Sequence, residues 1–75
     1  MHVLTDSKSL GALIRHERRS QGLTQEQLAG LAGVGVRFVR ELEAGKESCQ
    51  LGRALLVAQT LGLVVSVGTR REGRA

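Results

Sequence analysis

The side chains best able to bind a ligand are concentrated in one short stretch, from Val36 to Lys46. Arg37 and Arg40 are three residues apart, so a helix would place them on one face. The planar guanidinium of arginine can pair with both O6 and N7 of guanine in the major groove, and Val36 could contact a thymine methyl group. Glu41 could accept a hydrogen bond from cytosine or simply restrain Arg37. These residue types favour contact with base edges, and the alternative is that the arginines are ordinary solvated charges.

The sequence offers no comparable arrangement for catalysis or for a metal. Its two histidines, His2 and His16, and its single cysteine, Cys49, are scattered without metal-ligand spacing. An enzyme needs a positioned nucleophile or an acid–base pair in a cleft. We therefore expect no enzymatic activity, no cofactor, no bound metal and no small-molecule substrate.

The charge balance points to an anionic partner. The 75 residues contain 11 Lys and Arg against 7 Asp and Glu, a formal net charge of +4. Such an excess favours nucleic acid first and an anionic membrane surface second. Phe38 is the one aromatic residue, which argues against single-strand binding by base stacking. No apolar run reaches the roughly 18 residues that span a bilayer, and the start does not resemble a signal peptide. We therefore expect a cytoplasmic protein without a membrane partner.

The length of the chain permits one small domain. A chain this short buries only about 60% of the surface that it exposes when unfolded. Natural domains of this size usually add disulfides, a metal or a second subunit. Because one cysteine cannot form an internal disulfide, a second subunit is the expected reinforcement.

Four helices are predicted to position the candidate ligand-binding residues. The hydrophobic spacing predicts a first helix over 7–21, a second from a capping box at Thr24 to Gly33, a third from about Val36 to Ala44, and a fourth over about 50–60. The core-facing residues of the fourth helix are predicted to be Leu51, Leu55, Leu56 and Ala58.

The periodicity changes after the fourth helix. Residues 63–67 are rich in β-branched side chains and predict a short strand. A lone strand in a helical chain lacks a partner, and its exposed edge favours pairing with a second copy. Leu63, Val65 and Val67 are then expected to pack against the fourth helices, while Val64 and Ser66 face the other way.

A helix, a three-residue turn and a second helix form a helix-turn-helix arrangement. A side chain larger than Ala29 would push the second and third helices apart, and Gly33 provides the tight turn. The chain resembles the Cro/lambda-repressor (XRE) family over residues 10–62. The residues that carry this resemblance are Ile14-Arg15, Arg18, Gly22-Leu23-Thr24-Gln25, Leu28-Ala29, Gly33-Val34, Val39 and Leu42-Glu43-Ala44-Gly45-Lys46. It implies an all-α, compact four-helix domain like that of lambda repressor, followed here by the short strand.

Further site residues are predicted around the two central helices. Gln25 begins the second helix, where free N–H groups and the helix dipole favour a phosphate. Thr24 is chiefly a cap, and we include it with Gln25 and Lys46 as predicted phosphate contacts. The resemblance implies that Arg18 and Glu43 form a partly buried ion pair between the first and third helices.

The ELEAGK turn and the LGLVVSV segment are similar to those of the HipB-type antitoxins. In those proteins a strand after the last helix pairs with its copy. The resemblance implies a homodimeric repressor of its own operon that binds an inverted-repeat operator on double-stranded DNA. It also implies that the chain restrains a HipA-like serine/threonine kinase toxin. Two alternatives stay open: a stand-alone regulator without a toxin, and a protein-interaction module that no longer binds DNA.

The sequence thus divides into four predicted segments. We expect a flexible N-terminus over residues 1–6, a DNA-binding domain over 7–62, a dimerisation strand over 63–68 and a mobile basic tail over 69–75.

Overall fold

The computed structural model describes residues 3–69, and these residues contain four helices. Helix α1 spans Ser7–Ser20, α2 Gln25–Ala32, α3 Val36–Glu43 and α4 Leu51–Thr60. Helix α3 packs against α1 and α2, and α4 packs against α2. The bounds agree with the predicted helices to within about one residue. None of the four helices in this part of the chain has the length and apolar character that crossing a membrane requires.

Capping side chains explain where α1 begins. The Asp6 carboxylate accepts a hydrogen bond from the backbone N–H of Ser9 at 2.8 Å, and the Ser9 hydroxyl oxygen accepts one from the Asp6 N–H at 3.2 Å. This reciprocal pair satisfies two N–H groups that the first turn leaves without helical partners. The N–H of Ser9 is also the main reason that the pKa of Asp6 lies below its ordinary value.

The core lies where α1, α2, α3 and α4 converge. Its fully buried large side chains, one from each helix, are Ile14, Leu28, Val39 and Val57. Small residues allow the helices to approach closely. Ala29 is 4% exposed, and Gly11 on α1 lies directly against the backbone carbonyl groups at the end of α3.

The buried face of α4 differs from the predicted one. Ala58 is buried as expected, but Leu51 is 69% exposed, Leu56 45% and Leu55 37%. The residues of α4 and its C-cap that enter the core are Ala54, Val57, Ala58 and Leu61. Their 3–4 spacing forms a second apolar stripe, and its two alanines let α4 pack closely on α2. The prediction for the three leucines was therefore wrong, because the smaller stripe fits the core of the single chain.

Two hydrogen bonds fix the chain at the C-terminal end of α4. The Leu61 carbonyl accepts a hydrogen bond of 2.7 Å from the side-chain amide of Gln21, at the end of α1. The N–H of Leu63 donates to the carbonyl of Ala58, so that the first residue after the turn is fixed to the helix. Leu63 is half-buried against the core, and the residues beyond it are exposed.

Residues 63–69 form no strand in the single chain. Val65 is 49% exposed and Val67 96%, so these two side chains do not pack against α4 of the same chain as firmly as Leu63 does. The predicted strand requires a second copy as its partner, and it stays a prediction. The predicted basic tail lies outside the described residues except for Thr69, as do residues 1 and 2 of the predicted flexible N-terminus.

Candidate nucleic-acid interface

The turn between α2 and α3 determines how α3 is presented. Gly33 adopts φ 72°, a left-handed conformation that side chains with a Cβ rarely adopt. The N–H of the next residue, Val34, donates to the carbonyl of Ala29 at 3.0 Å, which closes the end of α2. Helix α3 begins two residues later. The short turn and the buried Ala29 together hold α3 across α2, with one side of α3 facing outward.

The outward side of α3 carries the predicted base-contacting residues. Val39 and Leu42 are buried, and the side chain of Arg37 is 90% exposed. Arg40 is 58% exposed, and its Nη2 lies 3.3 Å from Oε1 of Glu26 on α2. Val36 is already half-buried, because part of its side chain packs against the core. Less of this side chain is therefore available to a ligand than the sequence suggested.

Glu41 is held between two cations. Its Oε1 accepts a hydrogen bond of 3.0 Å from Nε of Arg37, and its Oε2 accepts one of 2.5 Å from Nζ of Lys46. The hydrogen bond from Lys46, followed by that from Arg37, lowers the pKa of the Glu41 carboxyl below its ordinary value. Arg37, Glu41 and Lys46 thus form one charged cluster, which we call the Glu41 cluster.

The Arg18–Glu43 pair lies beneath this surface. Nε and Nη2 of Arg18 donate to the two carboxylate oxygens of Glu43 at 2.7 and 3.0 Å, and Nη1 donates to the carbonyl of Leu23 at 2.7 Å. The side chains are only 10% and 3% exposed. The hydrogen bond with Glu43 raises the pKa of Arg18. This bidentate pair ties the end of α3 to α1 and to the segment that precedes α2.

Two predicted phosphate contacts have internal partners in the free chain. The side-chain amide of Gln25 donates to Oε1 of Glu43 at 3.2 Å. The Thr24 hydroxyl accepts from the N–H of Gln27 at 3.0 Å, and the Gln27 side chain accepts from the N–H of Thr24 at 2.8 Å. Thr24 is therefore the N-cap of α2, as its sequence position predicts.

A shallow polar cleft brings residues of α1, α2 and α3 together. It is lined by Arg15, Arg18, Gln25, Arg40, Glu43 and Ala44. Sequence reasoning left Arg15 out of the predicted site. The available signal was its spacing, because Arg15 precedes Arg18 by three residues and so lies on the same side of α1.

The predicted interface residues thus meet at the outer side of α2 and α3. Arg37, Glu41 and Lys46 form one cluster, while Arg40 and Gln25 line the adjoining cleft. The predicted dimer residues, 63–67, are not among them and follow α4 instead. Among residues 3–69, no three His, Cys, Asp or Glu side chains converge in a way that could hold a metal ion.

Comparisons with known proteins agree with this geometry. The helix-turn-helix family model matches residues 14–64. An uncharacterized HTH-type transcriptional regulator of Sinorhizobium fredii, y4mF, is 50% identical over 66 residues, which cover 84% of this chain and 87% of that protein.

Solved structures of the same fold include chains of two complexes that contain HipB. A chain of the HipB-O4 20mer complex matches with a TM-score of 0.84 and covers 93% of this chain and 99% of that chain, at 18% sequence identity. A chain of the HipA-HipB-O2-O3 complex matches with the same values. At this identity the likeness concerns the fold, and it confirms the predicted all-α, four-helix helix-turn-helix architecture.

Proposed function

This chain belongs to the helix-turn-helix family of XRE-type transcriptional regulators, and from that premise we propose that it is a homodimeric repressor of an inverted-repeat operator. The observation that carries the proposal is the outward side of α3, where Arg37 and Arg40 are exposed and where Lys46 shares the Glu41 carboxylate with Arg37. A helix of this kind enters the major groove and contacts base edges. Phosphate contacts supply affinity and salt dependence, while base contacts supply sequence choice.

The phosphate contacts are proposed to come from the cleft and from the start of α2. Arg15 brings an exposed guanidinium group to the cleft, and the N–H groups in the first turn of α2 favour an anion. Gln25 can turn its amide from Glu43 to a phosphate, since Glu43 keeps both hydrogen bonds from Arg18. Lys46 adds a cation at the far end of α3.

The homodimer is supported by apolar surface that the single chain leaves exposed. Val64 is 93% exposed, Val67 96% and Leu51 69%. Antiparallel pairing of residues 63–67 with a second copy would satisfy the backbone groups on the paired edge of this segment and place Val65 and Val67 against the fourth helices. A two-fold axis then presents two α3 helices to half-sites about one helical turn apart, or a multiple of it.

The toxin partner is the finer part of the proposal. The fold is like that of HipB, and one of the similar structures is a complex of HipB with HipA. We therefore propose that this chain also neutralises a HipA-like serine/threonine kinase and represses the operon that encodes both proteins. The second candidate is a stand-alone regulator, which is favoured by the Sinorhizobium fredii relative because its description is that of a transcriptional regulator.

Selection from a pool of random DNA duplexes tests the DNA-binding function. The full chain is expected to enrich an inverted repeat, and Arg37→Ala to weaken binding to that duplex by about 5- to 150-fold, the discrimination carried by one bidentate base contact. Arg19→Ala is the matched control. It removes the same charge from an exposed position near the end of α1, outside the cleft. A folded Arg37→Ala variant with unchanged affinity would instead favour a protein-interaction module.

The toxin is tested by co-purification from the native host with tagged chain. We expect a stoichiometric partner several times larger, which autophosphorylates with ATP and is inhibited by this chain. Recovery of only DNA and a second copy of the chain would leave the stand-alone regulator.

A further inference from the structure

We propose that Glu41 is a positioning residue that sets sequence specificity, because its carboxylate orients Arg37 for a base and does not itself contact DNA. This inference deepens the proposed function and rests on it. The residue types alone left two roles open for Glu41, a direct contact with cytosine and restraint of Arg37. The geometry favours the second role.

Both carboxylate oxygens of Glu41 are already engaged. Arg37 donates its Nε to Oε1, and Lys46 donates its ammonium to Oε2. A direct contact with cytosine would have to share one oxygen with a charge-assisted hydrogen bond, and only 30% of the Glu41 side chain is exposed to a ligand. An unpaired carboxylate on a DNA-binding surface would also repel phosphate, and Lys46 compensates that charge.

The backbone places Lys46 over Glu41 independently of any ligand. Helix α3 ends in a Schellman motif, in which the N–H of Lys46 donates to the carbonyl of Glu41 at 3.1 Å and that of Gly45 to the carbonyl of Leu42 at 3.1 Å. Gly45 has φ 82°, as this turn requires. The end of the helix therefore fixes one side of the Glu41 cluster before DNA arrives.

The hydrogen bond to Arg37 leaves the base-contacting edge of its guanidinium available. Guanidinium has five N–H donors, and the contact with Glu41 uses the one on Nε. A bidentate contact with guanine O6 and N7 needs two donors, which the Nη groups provide. The side chain of Arg37 is 90% exposed, so without Glu41 it would be free to turn toward a phosphate. Orientation by Glu41 thus favours base contact over sequence-independent contact.

This role differs from a contribution to folding. An exposed ion pair four residues apart on a helix contributes little to stability. Replacement of Glu41 is therefore expected to leave thermal unfolding nearly unchanged and to alter DNA discrimination. The two measurements separate positioning from a structural effect.

The experiment uses the full chain and the duplex obtained by selection. Affinities are measured for that duplex and for duplexes with single base-pair changes across one half-site, with wild type, Arg37→Ala, Glu41→Gln and Glu41→Asp. The Asp variant keeps the charge but shortens the side chain, so that its carboxylate no longer reaches both cations. Glu47→Gln is the charge-matched control for Glu41→Gln, since Glu47 is exposed and forms no hydrogen bond or ion pair within the described residues.

The two Glu41 variants are expected to lose discrimination at the same base pair as Arg37→Ala. We expect a loss of roughly three- to tenfold, a part of the roughly 5- to 150-fold that a full bidentate contact supplies. Glu47→Gln should keep wild-type discrimination. Loss at a different base pair would make Glu41 a direct base contact, and wild-type discrimination in both Glu41 variants would show that Arg37 needs no positioning. Either result overturns the inference alone, whereas failure of the wild type to prefer any sequence overturns the proposed function as well.

A measurement without DNA gives an independent test. In ¹⁵N-labelled free protein, solvent exchange of the Arg37 Nε proton should be slower in the wild type than in Glu41→Ala, which has no side-chain acceptor. Equal exchange in the two proteins would show that the hydrogen bond does not persist in solution, and this would overturn the inference whatever the DNA result.

Discussion

Arg18 and Glu43 form a small buried network with Gln25 and the carbonyl of Leu23, rather than an isolated pair. Charged groups with so little exposure to water are stabilised only as long as each keeps its partner. The network holds the end of α3 next to α1, and it thereby determines where the exposed side of α3 lies.

Removal of either charged partner is expected to cost more than replacement of both. Arg18→Met or Glu43→Leu should each lower the free energy of unfolding by about 3–5 kcal/mol, because one buried charge is left unpaired, while the double variant should lose less than the sum. Denaturant unfolding of the four proteins forms a double-mutant cycle that measures this. Additive losses in the cycle would show that the two side chains are not coupled.

Glycines on two helices are expected to respond to alanine in opposite directions. At Gly11, an added Cβ would lie 2.8 Å from the carbonyl oxygen of Glu43 and closer still to that of Leu42, so Gly11→Ala should destabilise the fold by about 1–3 kcal/mol. At Gly30, inside α2, an added Cβ meets no described atom within 4 Å. Gly30→Ala should stabilise by about 0.5–1 kcal/mol through helix propensity. The midpoint temperatures of thermal unfolding of the two variants test this prediction. Equal changes in the two midpoints would contradict the close approach of α1 to α3.

Single residues also show which side-chain contacts could be predicted from the sequence and which could not. The resemblance identified Arg18 and Glu43 as partners, and their side chains do form a bidentate pair. The contact of Gln25 with Glu43 was not predicted, because the direction of a side-chain amide depends on a neighbour 18 residues away. The close contact of Gly11 with the end of α3 was not predicted for the same reason, since nothing in the neighbouring sequence distinguishes Gly11 from Gly30.

Among the helices, α4 is the one with two apolar sides. Sequence periodicity placed the helix itself correctly but chose the side with the larger leucines. Shape decides otherwise, because Ala54 and Ala58 let α4 approach α2 more closely than leucines would allow. The hydrophobicity of a stripe therefore does not by itself reveal which stripe faces the core of one chain and which faces a second subunit.

Neighbouring residues of α4 provide a direct comparison of its two sides. Val57→Ala, at a fully buried position, should lower the free energy of unfolding by about 2 kcal/mol. Leu56→Ala, at a position 45% exposed, should cost less in the dilute monomer and should weaken self-association instead. Denaturant unfolding and sedimentation velocity over a range of concentrations measure the two effects. A monomer equally sensitive to both changes would contradict the orientation of α4.

For the whole molecule, the formal net charge of +4 does not describe how the positive and negative side chains are arranged. Glu26, Glu41 and Glu43 each contact an arginine around α3, so much of the negative charge there serves to hold cations in place. Composition predicted an anionic partner, but only the folded chain reveals this pairing.

Deletion of residues 63–75 tests the proposed dimer. The truncated chain should sediment as a monomer with the four helices intact. Its affinity for the selected inverted repeat should fall toward that for a single half-site, because the second half-site no longer binds as part of the same molecule. Circular dichroism checks that the helices remain. A truncated protein that still sediments as a dimer would place the interface elsewhere, with the exposed leucines of α4 the next region to change.

The hydrogen bond between the Gln21 side chain and the Leu61 carbonyl has a consequence for the spacing of DNA sites. It joins the end of α1 to the residue at which the chain leaves α4, and the hydrogen bond from the N–H of Leu63 to the carbonyl of Ala58 holds the chain there at a second point. In the proposed dimer, the two halves thus cannot swivel freely about their junction. One base pair inserted between half-sites rotates one of them by about 35°, since a helical turn takes roughly 10 base pairs. A dimeric regulator with so short and stiff a connection would bind operators with one spacing between half-sites. It would bind weakly to operators with the same half-site sequences and a spacing that differs by one base pair.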